Sequence, residues 1–183
     1  MNQSNVEFEV KYSKNVEFKA KCNNLERVRA FLIENDAKYT GTDNQTDVYF
    51  SLPYGKLKIR SGNIENSIIY YVRKNHPEPK TSRVSIIENP EPMMIHILMD
   101  MPSVKAVVKK KREIYLIQNV RFNLDEVEEL GSFIEVEAID ENRKIGKGKL
   151  EQQCNHYKKE LKINDRDLVA ESYSDLLIKK RSK

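Results

Sequence analysis

The stretch Asn15-Val16-Glu17-Phe18-Lys19-Ala20-Lys21 sets Asn15, Glu17, Lys19 and Lys21 on one face and Val16, Phe18 and Ala20 on the other. This period-two alternation is that of a half-buried strand. A single strand of this kind turns its charged face to water. The constraint comes from repetition, because Lys56-Leu57-Lys58-Ile59-Arg60, Arg83-Val84-Ser85, Arg121-Phe122-Asn123-Leu124-Asp125 and Phe133-Ile134-Glu135-Val136-Glu137 share the design. In an open sheet such strands would leave one solvated, salt-bridged face. Closed on themselves they make a barrel with a charged lumen and an apolar outer wall that helices must cover. The recurrence in nearly every strand, with helices available in the same chain, favours the closed form.

The chain reads as one domain over residues 1–183, with an N-terminal extension at 1–14 and a basic, solvated tail at 179–183. Asn5-Val6-Glu7-Phe8-Glu9-Val10-Lys11 is echoed ten positions on by the Asn15 stretch, and only one copy is expected to be the first barrel strand. The second copy runs into Asn23-Asn24, a helix N-cap pair, followed by Leu25, Val28, Phe31 and Leu32 on one helical face, so it is taken as the working strand. Further strands are read at Gln45–Phe50, Lys56–Arg60, Ser67–Lys74, Ser82–Ile87, Val107–Tyr115, Arg121–Asp125 and Phe133–Glu137, the last two joined as a hairpin through Glu128–Gly131. In the fourth strand Ile69, Tyr71 and Arg73 share a side. In the fifth Arg83 and Ser85 share the charged side, with Val84 and Ile86 on the apolar one. The sixth is open in register: Lys110 and Arg112 face inward, or Lys109 and Lys111 do. Asn89-Pro90-Glu91-Pro92 opens a helix over Met93–Met101, and Lys147–Leu161 and Ser172–Ile178 are helical. The fold class is α+β, mainly β: a closed eight-stranded antiparallel β-barrel with a charged lumen and three or four outer helices.

A chain of 183 residues can bury a sizeable core. Its 32 basic residues nearly offset 28 acidic ones, and the net charge of +4 is not segregated, which argues against nucleic acid as the partner. Cys22 and Cys154 make neither a disulfide framework nor a metal-site spacing. Residues 1–9 are polar and acidic, unlike a signal peptide, and the longest apolar run, broken by His96 and Asp100, is too short to span a membrane. The expectation is a cytoplasmic protein with no membrane and no nucleic-acid partner, monomeric or homodimeric.

If the charged faces converge, the lumen receives Lys19, Lys21, Lys58, Arg60, Arg73, Arg83, Lys110, Arg112 and Arg121 against Glu17, Asp125, Glu135 and Glu137. Burying an unpaired ion costs several kcal/mol, and these cations outnumber the carboxylates. The surplus calls for a polyanion, which Arg grips bidentately and Lys as a point charge. The carboxylates call for a divalent cation with oxygen ligands. A small-molecule triphosphate bound with Mg²⁺ or Mn²⁺ meets both demands.

These residues resemble the CYTH domain, the triphosphate tunnel metalloenzyme superfamily, and within it the class IV adenylyl cyclase-like branch. The resemblance rests on Asn15–Ala20, Gln45–Phe50, Gly55–Arg60, Tyr71–Arg73, Arg83–Ser85, Lys110–Glu113, Arg121–Val127, Leu130–Glu137 and Ser172–Leu177, in this order. It implies an eight-stranded tunnel with Glu17, Asp125, Glu135 and Glu137 on the metal side. The phosphate side would be Lys19, Lys58, Arg60, Arg73, Arg83, Lys110 and Arg112, which selects the Lys110–Arg112 register. Glu17, Lys19 and Asp125 are the implied participants in the chemical step. The sequence departs from the family's Glu-x-Glu-x-Lys signature, with Asn15 at the first Glu, while a literal Glu7-Phe8-Glu9-Val10-Lys11 lies upstream.

Two reactions suit one tunnel. In a cyclase the ribose 3′-hydroxyl of ATP attacks the α-phosphorus and pyrophosphate leaves. In a triphosphatase acting on tripolyphosphate, thiamine triphosphate or a nucleoside triphosphate, water attacks the terminal phosphorus. A third reading, a non-catalytic polyphosphate or nucleotide sensor, is disfavoured by Glu135 and Glu137, since buried carboxylates do nothing for a pure anion binder.

Overall fold

The β-alternation resolves into a single ladder that closes on its own first strand. The computed structural model describes residues 10–73, 76–100, 104–141 and 144–182. It contains β1 (Val10–Lys21), α1 (Leu25–Glu34), β2 (Lys38–Phe50), β3 (Lys56–Ser61), β4 (Ser67–Arg73), β5 (Lys80–Glu88) and α2 (Pro92–Met99). These are followed by β6 (Val104–Ile117), β7 (Val120–Val127), β8 (Gly131–Asp140), α3 (Lys147–Glu160) and α4 (Tyr173–Arg181). The strands form a closed antiparallel barrel in the order β1-β5-β4-β3-β2-β6-β7-β8, with β1 paired to β5 on one side and β8 on the other.

Closure works because the outer residues are apolar and the helices cover them. Val16, Phe18, Phe122, Leu124, Ile134 and Val136 point outward from β1, β7 and β8 into a core with Val28 and Leu32 of α1 and Leu150 and Cys154 of α3. Each such buried side chain is worth about 1.5–3 kcal/mol relative to exposure. The Asn24 side chain accepts from Arg27 N at 3.0 Å and starts α1. α2 covers Phe50, Ile59 and Ile68 through Met94, Ile95 and Leu98. α4, begun by a Ser172–Asp175 capping box, brings Tyr173 and Leu177 onto Tyr49, Val108, Val127 and Phe133 and closes one end of the barrel.

β1 is longer than the second repeat. It begins at Val10, so part of the expected extension pairs with β5 from Val10↔Ile87 onward. Residues 5–9 of the upstream copy, together with Lys74, Met101 and Lys183, lie outside the described residues. The expected basic tail is largely helical, since α4 runs to Arg181, and Arg181 pairs with Glu129 of the β7–β8 turn.

β5 has the opposite orientation to the one expected. Directly opposed residues of an antiparallel pair share a face, and β1 pairs Asn15 with Ser82 and Lys14 with Arg83. Ser82, Val84 and Ile86 therefore line the lumen, while Arg83 is exposed on the outer surface. Lys21 also lies away from the tunnel, exposed at the end of β1 beyond the closed end of the barrel.

Candidate functional site

The lumen is a cavity of about 700 Å³. Its inward residues follow from strand parity: Glu17 and Lys19 on β1, Asp47 on β2, Lys58 and Arg60 on β3, Arg73 on β4, Lys110 and Arg112 on β6, Arg121 on β7, and Glu135 and Glu137 on β8. Apart from Asp47, these are sequence-expected residues, with Lys110 and Arg112 as the inward pair of β6, whereas Lys21 and Arg83 lie outside.

Asp47 organises the wall made by β3, β2 and β6. Its buried carboxylate accepts from Arg60 Nε at 2.8 Å, Lys58 Nζ at 3.0 Å and Lys110 Nζ at 2.7 Å. Burial opposes ionisation of Asp47, but Arg60, Lys110 and Lys58 hold it well below the usual carboxylate range. One carboxylate cannot neutralise three cations. Burial, with the neighbouring guanidinium of Arg60, lowers Lys58 to about 8, and burial beside Arg60, Arg112 and Lys58 lowers Lys110 to about 7.

Arg112 is anchored differently. It forks onto Asp125, with Nε to Oδ1 at 2.6 Å, and also reaches Glu135 Oε2 at 2.6 Å. Tyr173 donates to Asp125 Oδ2 at 2.6 Å, so both Asp125 oxygens are engaged and Asp125 does not line the cavity. Lys19 Nζ lies 3.0 Å from Glu135 Oε1 and 3.8 Å from the centre of the Tyr173 ring. Against the opposition of burial, Lys19 and Arg112 hold Glu135 well below its ordinary range.

The wall formed by β8, β1 and β5 is arranged otherwise. Glu17 and Glu137 stand directly opposite across the β1/β8 ladder. Like charges in opposed positions repel, and burial followed by the Glu17 charge pushes Glu137 up to about 7. Glu17 pairs with Arg73, and Glu137 accepts from Asn123 Nδ2 at 3.1 Å.

Several lumen residues were not picked out by sequence reasoning. Asp47 shares a strand face with Gln45 and Tyr49, so alternation could have found it. Glu65, in the β3–β4 turn, reaches into the lumen to Arg60 NH1 at 2.9 Å and Arg121 NH1 at 2.7 Å, and no periodicity marks a turn residue. Its turn is held by Asp43, which accepts from Ile64 N and Glu65 N; Gly62 is required there because a Cβ would lie 2.5 Å from Asp43 Oδ1. Lys80 sits opposite Glu17 and donates to the carbonyls of His76 and Ala170. Burial, with Arg73 nearby, lowers it to about 8.

Only part of the expected carboxylate set is disposed to hold a cation. Among the described residues no group of three or more His, Cys, Asp or Glu side chains forms a metal cage. Asp125 is engaged by Arg112 and Tyr173, and Glu135 by Lys19 and Arg112. Glu137, bonded to the neutral Asn123 side chain, and Glu17, paired with Arg73, fit a divalent ion of the Mg²⁺ type, which is commonly bound through one or two carboxylates plus phosphate oxygens and water. No helix of the described residues is long and apolar enough to cross a membrane.

A family model for the CYTH domain matches residues 13–173. No curated protein matches the sequence. Among solved structures, the PH1012 protein of Pyrococcus horikoshii OT3 is 27% identical with a TM-score of 0.73, covering 88% of this chain and 98% of that one. A candidate adenylate cyclase of Vibrio parahaemolyticus is 17% identical with a TM-score of 0.72, covering 90% of this chain and 97% of that one. The candidate adenylyl cyclase HpAC1 of Hippeastrum, for which a dominant triphosphatase activity is described, is 13% identical with a TM-score of 0.59, covering 93% and 96%. The last two likenesses are of fold.

Proposed function

The chain belongs to the CYTH domain family, and from that premise we propose that it is a divalent-metal-dependent enzyme that breaks a phosphoanhydride bond of a triphosphate held in its tunnel. The observation that carries this reading is the asymmetry of the lumen. Lys58, Arg60 and Lys110 gather around Asp47, with Glu65 reaching only Arg60 of the three, while Glu17, paired with Arg73, and Glu137 oppose each other on the facing wall. A polyanion supplies what the first wall lacks, and a cation what the second lacks.

Glu17 and Glu137 would hold Mg²⁺ or Mn²⁺. The ion, when bound, would supply charge neutralisation and lower the pKa of the attacking oxygen. Lys58, Arg60, Lys110 and Arg112 would grip the phosphate oxygens and stabilise the charge that develops in transfer. Lys19, fixed by Glu135 and the Tyr173 ring, would bind phosphate at the closed end.

The adenylyl cyclase-like reaction is the first reading, in line with the resemblance of the motifs. The ribose 3′-oxygen forms a bond to the α-phosphorus, the α–β bridging bond breaks, pyrophosphate departs, and the hydroxyl proton passes to a carboxylate of the Glu17–Glu137 pair. Hydrolysis is the second reading. It is supported by HpAC1, in which this fold, the cyclase name and a dominant triphosphatase activity occur together. There water attacks the terminal phosphorus and orthophosphate leaves.

Product analysis tests the proposal. Purified protein is incubated with ATP, inorganic tripolyphosphate or thiamine triphosphate, with Mg²⁺ or Mn²⁺ and with EDTA. Cyclic AMP with pyrophosphate identifies the cyclase, and orthophosphate the triphosphatase, in both cases only with metal. Tight triphosphate binding with no product from any substrate would leave a sensor in place of an enzyme.

A further inference from the structure

Four buried polar atoms of cavity-lining residues have no hydrogen-bond partner among the described residues; two are Arg73 Nε and Arg121 Nη2, and the other two lie side by side in the ladder. These last are Asn15 Oδ1 on β1 and Ser82 Oγ on β5. Asn15 is 6% exposed and Ser82 1%, and both line the cavity. Unsatisfied buried polar groups cost about 1–3 kcal/mol each and are rare without a reason.

Their surroundings differ from the rest of the tunnel. Asn15 is flanked by Ile139 on β8 and Ser82 on β5, and Ser82 in turn by Arg73 on β4. One row toward the open mouth, Ser13 pairs with Val84, which pairs with Tyr71 of β4. One row further, Ile86 stands between Lys11 of β1 and Ile69 of β4. Between Lys11 at the mouth and Arg73 at the inner end, this patch has apolar walls and neutral hydrogen-bonding groups. The acceptor Asn15 Oδ1 calls for a hydroxyl or amine donor, which an ionised bare polyphosphate lacks.

We propose that Asn15 and Ser82 are specificity-determining residues that bind the hydroxyl-bearing sugar of a nucleoside triphosphate, with its base against Ile69, Val84 and Ile86. This rests on the reading of the tunnel as a triphosphate site and deepens it. Asn15 accepts a hydrogen bond from a sugar hydroxyl and Ser82 donates or accepts one. Asparagine here, where a glutamate would add a third carboxylate to Glu17 and Glu137, presents a neutral acceptor to an uncharged group. The arrangement also orients the substrate. Glu17 and Glu137 lie two residues further along their strands, ~7 Å toward the closed end. The phosphorus attached to the sugar, not the terminal one, comes level with them.

Binding measurements test this. Wild-type protein is titrated with ATP, 2′,3′-dideoxy-ATP and inorganic tripolyphosphate, in EDTA and again in Mg²⁺. ATP is expected to bind at least ~10-fold more tightly than tripolyphosphate, and dideoxy-ATP to lose most of that margin. Asn15→Ala and Ser82→Ala should each weaken ATP binding about three- to tenfold and leave tripolyphosphate affinity unchanged, whereas Lys58→Ala should weaken both ligands alike. The wild-type comparison stands even if a variant fails to fold. Tripolyphosphate binding as tightly as ATP, or Asn15 and Ser82 variants that weaken both ligands equally, would overturn the inference and leave the triphosphate site standing. Binding of no triphosphate at all would overturn both.

Discussion

The two walls of the tunnel are built from the same kind of alternating strand and yet have opposite electrostatics. On β3, β2 and β6 the cations Lys58, Arg60 and Lys110 converge on Asp47, so each has a partner and the group keeps a positive surplus. On β8 and β1 two carboxylates meet face to face, and Glu137 is driven up to about 7 by burial and by Glu17. The first wall is held together by its ion pairs in the absence of ligand. The second carries an unfavourable contact that a cation would relieve. Charged residues in a closed lumen thus divide into those that support the barrel and those that are at odds with it, and on the proposed function the second kind holds the metal.

The largest effect should come from breaking the first wall. Asp47→Ala leaves three buried cations without their shared partner, and the loss of one member of a buried ionic group costs about 3–5 kcal/mol. Chemical denaturation should show that loss, and added tripolyphosphate should restore part of it by binding the freed cations.

The second wall should respond in the opposite sense. Glu137→Gln removes the repulsion with Glu17, so the unfolding midpoint should stay level or rise, while metal-dependent turnover falls roughly 10²–10³-fold, the scale of losing one transition-state electrostatic contact. A variant that lost stability together with activity would show that Glu137 belongs with the supporting residues after all.

The surplus of the first wall should also appear in pH dependence. Lys58 and Lys110 bind protons less tightly in the folded chain, near 8 and 7, than when unfolded, near their ordinary value of 10.5. Below pH 7 both states carry these protons and the cost of burying the charge is fully present. As pH rises from about 7 to 10 the folded state releases protons that the unfolded state keeps, so stability from these groups rises. The added stabilisation by tripolyphosphate should shrink over the same window, as the wall loses charge. Thermal unfolding with and without tripolyphosphate across that range would reveal both trends, and a ligand effect that grew with pH would contradict the assignment.

The smallest effects are expected outside both walls. Arg83→Ala and Lys21→Ala alter exposed side chains on the outer surface and at the barrel end. Each should change stability by less than about 0.5 kcal/mol and triphosphate affinity by less than about twofold. A large loss of affinity in either would mean that the lumen is not the binding site.

Much of the fold was legible because alternation is a local property. β1, β3, β7 and β8 each set charged residues against Val, Ile, Phe or Leu, and the periodicity alone gave the faces that later proved inward and outward. The N-cap at Asn24 and the Pro-rich start of α2 were equally local. β5 was not legible in this way. Ser82, Val84 and Ile86 alternate with Arg83, Ser85 and Ile87, so each face holds both polar and apolar residues and the pattern has no preferred side. Reading Arg83 as inward assumed that charge always faces the lumen, whereas the neutral patch beside Asn15 needs Val84 and Ile86 there.

Alternation along the chain sets one charged and one apolar face on most strands, and closing them around an enclosed space buries the apolar faces against the helices. Which charges meet follows from how the strands are paired and curved in space. Register pairs Glu17 with Glu137 and Asn15 with Ser82, the barrel's curvature brings Lys58, Arg60 and Lys110 onto Asp47, and a turn delivers Glu65 to Arg60 and Arg121. The reason is physical: burial and ion pairing act through space between strands far apart in the chain, and a residue's own neighbours in sequence carry no record of them.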